Sequence, residues 1–150
     1  MAIVAAIDSS ERAPAVIEQA HDLCQAYDVA LHIVHAADPT GDFRRDLGDV
    51  SAESLNTGAS TEQTLDRVRA KATEVAAKAA SDVDNLDEYE AVGLVGDPPT
   101  VIKEYAAEHD AEYIVVSGRQ RHPLGQALFG SVTQSLLLNA DRPVVAVPHS

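Results

Sequence analysis

Short apolar runs alternate along this chain with longer stretches of helical spacing. Ile3–Ile7 is an apolar run closed by Asp8-Ser9-Ser10, which can cap the next helix. From about Glu11 to Tyr27, the residues Ala13, Val16, Ile17, Ala20, Leu23, Cys24 and Tyr27 recur at the three- and four-residue intervals of one helix face. Ala30–Ala36 predicts a second strand. Thr61–Ser81 predicts a helix with Leu65, Val68, Ala72, Val75, Ala76 and Ala79 facing inward, and a third strand comes after it at about Tyr89–Leu94. Gly96-Asp97-Pro98-Pro99 stops the chain and restarts it as a helix, with Asp97 at the N-cap and proline tolerated in the first turn. That helix runs through Val101, Ile102, Tyr105 and Ala106 to His109-Asp110. Tyr113–Val116 is a fourth strand, Gly130-Ser131 opens a helix reaching Asn139, and Val144–Val147 between Pro143 and Pro148 is a fifth strand. The interval Ala37–Ser60, rich in Asp, Gly, Ser and Thr, is too long for an ordinary connection and reads as a lid or mobile loop.

The order βαβαβαβαβ with short apolar strands predicts a single α/β domain, a mostly parallel, doubly wound sheet with helices on both faces. Ligands of such sheets bind beyond the carboxyl ends of the strands, where the strand order reverses. If the order is 3-2-1-4-5, that point falls between the first strand, ended by Asp8, and the fourth, ended by Ser117. Asp8 is read two ways: as a helix cap, or as a carboxylate that accepts hydrogen bonds from ribose hydroxyls.

The segment from Ser117 to Thr133, SGRQRHPLGQALFGSVT, joins that fourth strand to the last helix through glycine and arginine. The first N–H groups of a helix lack intrahelical partners and carry partial positive charge, so a phosphate is a natural occupant of such a start. Gly118 and Gly130 allow close backbone approach, Ser131 offers a hydroxyl and an N–H, Val132 adds the next N–H, and Arg119 and Arg121 supply charge. The same residues read equally as structure, because Ser131 and Gln134 have the spacing of a capping box that binds nothing. His122 lies in this segment and reads as a solvated loop histidine able to meet phosphate when protonated.

Charge narrows the partners. The chain has 24 acidic against 11 basic residues, a formal net charge of −13, which disfavours nucleic-acid backbone and anionic membrane over most of the surface. Scarce lysine and abundant acid also point to a halophilic setting, a salt-rich cytoplasm that screens self-repulsion. Unfolding midpoints are therefore expected to rise from low to molar KCl. No apolar run approaches the ~18–20 residues of a membrane span, and MAIVAAIDSS reads as a first strand rather than a signal peptide, so a cytoplasmic protein is expected. Cys24 falls on an apolar helix face and reads as a packed thiol.

Several chemistries lack their residues. His32-x-x-His35 on a strand sends its side chains to opposite faces, which rules against a metal pair. No Ser-His-Asp or Cys-His arrangement can be argued from spacing, and neither GxSxG nor GxxxxGK[ST] is present. No catalytic residue is assigned; at most a slow ATPase is compatible.

Four blocks, IVAAIDSSERA, LHIVHAAD, GDPPTVIKEYAAEHDAEYIVVSGR and FGSVTQSLLLNADRPVVAVP, give the chain a resemblance to the universal stress protein family over nearly its whole length. The resemblance implies a Rossmann-like fold of the adenine nucleotide alpha hydrolase type with strand order 3-2-1-4-5. It also implies a dimer and, in many members, an adenine-nucleotide site, for which ATP with Mg2+ is the ligand expected here. Val144–Val147, an uncharged edge strand that is an association hazard unless covered, is the expected homodimer interface. Nucleotide-binding members carry Gly-x2-Gly, nine residues, then Gly-Ser/Thr. Here Gly130-Ser131 matches the second half, whereas Ser117 and Gln120 stand where the first two glycines would, with Gly118 displaced by one. Carried over by position, Asp8 meets ribose, the backbone of Ile33 or its neighbour meets adenine, and Gly130, Ser131 and Val132 meet phosphate. A branch of the family lacks the motif and does not bind ATP, and a homodimeric interaction protein with a vestigial pocket is the alternative reading.

Overall fold

The computed structural model describes residues 1–8, 11–38, 61–86, 88–118 and 131–148. In chain order these form β1 (Ala2–Ala6), α1 (Ala13–Tyr27), β2 (Ala30–Ala37), α2 (Thr61–Ser81), β3 (Glu90–Val95), α3 (Pro98–Glu108), β4 (Ala111–Ser117), α4 (Ser131–Asn139) and β5 (Val144–Val147). All strand pairs are parallel and the sheet order is β3-β2-β1-β4-β5. The five-stranded α/β architecture expected from the pattern, and the strand order that the resemblance implies, are therefore observed.

Strand alternation divides the core in two. Ile3, Ala5 and Ile7 of β1 and its extension join Leu31, Ile33 and Val115 under α1 and the C-terminal half of α2, with Val16, Ile17, Ala76 and Ala80 as partners. The opposite parity, Val4, Val34, Ile114 and Val116, packs beneath Ile102 and Ala106 of α3 and Leu136 of α4. Both faces are covered, which explains why the central strands are apolar at nearly every position.

Element ends depart from the sequence reading at identifiable places. α1 begins at Ala13 rather than Glu11, after an Arg12 already in the right-handed region whose side chain makes no capping bond to the helix; Pro14 fixes the first turn. Asp8 is thus not the cap of α1. Asp97 occupies the N-cap position of α3 as expected, but its side chain makes no capping bond to the helix backbone; it accepts from the Thr100 hydroxyl. β4 starts two residues early because Asp110, in the left-handed region at φ 51°, turns the chain directly into Ala111. Of the expected lid, residues 39–60 lie outside the described residues. Among the described residues, no helix is long and apolar enough to cross a membrane.

The two histidines of β2 take opposite faces. His32 is buried on the α3 side, its Nδ1 2.6 Å from the Tyr105 hydroxyl and its Nε2 3.5 Å from a Glu90 carboxylate oxygen. With the ring proton on Nε2 toward Glu90, the Tyr105 hydroxyl donates to Nδ1. Burial holds His32 below its ordinary value of 6.5, with Glu90 opposing the shift and His109 adding to it. Burial also pushes Tyr105 up to about 12. A depressed histidine takes its proton first in the unfolded chain, so this contribution to stability is present above 6.5 and is lost as pH falls toward the folded-state value. Urea midpoints measured from pH 8 to pH 5 are expected to fall below about pH 6.5. His32→Asn, which keeps an acceptor for Tyr105, should flatten that limb.

Candidate functional site

A cleft of about 250 Å3 opens beyond the carboxyl ends of the strands, lined by Ile7, Asp8 and Arg12 on one side and by Ser117 and Ser131–Thr133 on another. His35 and Ala36 from the end of β2 and Pro98 and Ile102 from α3 complete it. It lies where β1 separates β2 from β4, so the chain leaves in opposite directions on its two sides, and among the described residues no crossover helix fills the space.

Each wall has a physical reason for its position. Thr133 is buried, and its hydroxyl donates to the Ser117 carbonyl at 2.9 Å, fastening the first turn of α4 to the end of β4. The Gly118 N–H donates to the Val147 carbonyl at 2.7 Å, extending the sheet one residue past β4 before the chain departs. Both devices aim the start of α4, with Ser131 exposed and Val132 half-buried, at the cleft. On the facing side, the peptide of Ile7 is held to β2, its N–H by the Val34 carbonyl and its carbonyl by His35 Nδ1–H, each at 2.9 Å. Asp8 is the next residue. Its carboxylate lies half-exposed, 3.4 Å from the Arg12 guanidinium. A carboxylate, a guanidinium, hydroxyls and a helix N-terminus thus share one concave space with apolar walls, a combination suited to a ligand with hydroxyl and anionic groups.

The residues expected from sequence fare unequally. Asp8, Ser131 and Val132 come together in the cleft, and Ser117 joins them. Gly118 is buried at the sheet end beside β5 and does not line it. Arg119, Arg121 and Gly130, together with Gln120 and His122, lie outside the described residues. Ile33 is not brought to the cleft: it is fully buried in mid-sheet, paired to Ala5 of β1 and Ala91 of β3. The residues of β2 that reach the cleft are His35 and Ala36, two and three positions farther on. Arg12 and His35 escaped the sequence reading. The signal for His35 was its parity, used there only to part it from His32.

A model of the universal stress protein family matches residues 1–148. The stress response protein NhaX of Bacillus subtilis is 28% identical, over 97% of this chain and 96% of that protein. Among solved structures, a universal stress protein from Archaeoglobus fulgidus is 27% identical, with 97% of each chain covered and a TM-score of 0.58. The structure of the universal stress protein from Archaeoglobus fulgidus in complex with dAMP is 24% identical, covering 97% of this chain and 96% of that one, and is similar in fold with a TM-score of 0.53.

Proposed function

This chain belongs to the universal stress protein family, and from that membership and the chemistry of the cleft we propose that it binds an adenine nucleotide, ATP with Mg2+, and acts in stress response through binding rather than turnover. One observation carries the reading: Asp8 at the end of β1 and the first turn of α4 line the same cleft at the reversal of strand order. In the proposal Asp8 accepts from ribose hydroxyls, Ala36 and Ile102 flank the base, and the N–H groups at Ser131 and Val132 meet phosphate. Gly130, Arg119 and Arg121 extend the phosphate subsite. The relative solved with dAMP supports the class of ligand. Mg2+ ordinarily keeps most of its waters and takes one or two carboxylates plus phosphate oxygens. Asp8, the carboxylate of the cleft among the described residues, is taken by ribose in this reading, so Mg2+ would be held by the triphosphate oxygens and its own waters.

ATP is expected to bind in the micromolar range, on the order of −7 to −8 kcal/mol. AMP should bind more weakly, because it lacks the β- and γ-phosphates that would meet the helix start. Calorimetry in molar KCl measures both, and mass spectrometry of ligand released from unsupplemented protein gives an independent check. Absence of heat with millimolar ATP and Mg2+ would favour the second reading, a cytoplasmic homodimeric interaction protein with a vestigial pocket. The observation on its side is Ser117, a side chain in the cleft at a position where the nucleotide-binding motif has glycine.

A further inference from the structure

We infer that His35 is the positioning residue for ribose recognition: by holding the peptide between Ile7 and Asp8 it fixes the direction from which the Asp8 carboxylate enters the cleft. The inference rests on the nucleotide reading and goes a step past it, to the residue that makes Asp8 selective.

The last paired residues of the β1–β2 ladder are Ala6 and Val34. Beyond them Ile7 would be free to turn, yet both of its backbone groups are engaged, the N–H by the Val34 carbonyl and the carbonyl by the His35 ring. The Ile7 carbonyl shares a rigid plane with the nitrogen and Cα of Asp8, so fixing that carbonyl fixes the origin of the Asp8 side chain. A carbonyl only accepts, so His35 Nδ1 carries the proton. Strand parity places the ring beside Ile7: with Ala6 opposite Val34, the next position along β2 is His35. His35 and Asp8 line the same cleft, and Arg12 Nη2 donates to Asp8 from the other side at 3.4 Å. A small apolar residue at position 35 would take from the Ile7–Asp8 peptide the hydrogen bond that holds its carbonyl, leaving only the Ala6–Ile7 peptide tied to β2 through the Ile7 N–H.

The test compares ATP with 2′,3′-dideoxyATP, which keeps base and phosphates but offers Asp8 no ribose hydroxyl, on the wild type, His35→Ala and His35→Asn. The wild type should prefer ATP by about tenfold or more, the scale of one hydrogen bond to a charged acceptor. In His35→Ala the preference should shrink to below about threefold while dideoxyATP affinity changes little, and His35→Asn, whose amide nitrogen stands near the Nδ1 position, should restore it. A purely structural role would weaken both ligands in parallel and leave their ratio alone. The histidine 15N spectrum of the unliganded wild type should also show the His35 proton on Nδ1, which decides the matter if His35→Ala fails to fold. An unchanged ratio in folded His35→Ala, equal affinities in the wild type, or a proton on Nε2 alone each overturns the inference while the nucleotide reading stands. A wild type that binds neither ligand overturns the nucleotide reading and this inference with it.

Discussion

Gly93→Ala should lower the thermal midpoint by roughly 6–12 °C, the size expected for about 3 kcal/mol of overpacking in a chain of this length. Gly93 lies in β3, buried beneath α2, and a Cβ there would meet the main chain of that helix at the Arg69 carbonyl and, 2.5 Å away, at the Thr73 nitrogen. A side-chain clash can be relieved by a change of rotamer; a clash with helix backbone cannot. The Arg69 carbonyl is moreover already engaged, accepting from the Thr73 hydroxyl at 2.9 Å. α2 comes this close because its inward face is made largely of small residues, Ala72, Ala76, Ala79 and Ala80. Lifting the helix off the sheet would open the apolar cluster of Ala37, Val68 and Ala72 that closes this corner of the core. The check is thermal and urea unfolding in molar KCl with no nucleotide present. A midpoint unchanged from wild type would mean that α2 does not rest on β3 in this way.

The alternation of strands and helices in a parallel sheet was legible because apolar runs too short for helices alternate with stretches at helical spacing; the strand order itself came with the family resemblance. Asp8 and Ser131 were legible for a related reason: a small polar residue that ends an apolar run or opens a helix marks a boundary, and in this fold boundaries line the crevice. Ile33, by contrast, required the register between β1 and β2. The pairing of Ala5 with Ile33 buries that residue in mid-sheet and hands the crevice to His35 and Ala36, a displacement along the strand that hydrophobic pattern does not reveal. Arg12 was hidden by the reading of α1 as starting at Glu11. It is not among the apolar positions of that helix and so was passed over, whereas as the residue before the helix it lies 3.4 Å from Asp8. Gly93 gave no signal of its own, since its demand arises from α2, a separate element.

Ala146→Pro should convert a dimer into a monomer, if the proposed homodimer joins through the outer edge of β5. Parallel pairing with β4 uses one side of that strand: the Ile114 N–H donates to the Pro143 carbonyl at 3.0 Å and the Gly118 N–H to the Val147 carbonyl at 2.7 Å. A strand residue directs its N–H and carbonyl to the same side and its neighbour directs them to the other. Val144 and Ala146 therefore turn their backbone groups away from β4, at the end of the sheet order. An uncharged edge of this kind invites a second strand, and a two-fold partner would satisfy it with the same residues from both chains. α4 packs beside β5 and exposes Leu137 and Leu138, which adds apolar surface to a pairing only four residues long. Proline at 146 removes an outward N–H while leaving the ladder to β4 whole, and its demand for an extended preceding residue is already met by Val145 within the strand. Val145→Lys is the less selective probe, because Val145 packs against the core beneath α1 and its loss would disturb the monomer as well. Sedimentation in molar KCl reads the result at micromolar protein. Wild type should sediment as a dimer and Ala146→Pro as a folded monomer; a monomeric wild type, or a proline variant that remains dimeric, would remove the β5 edge as the interface.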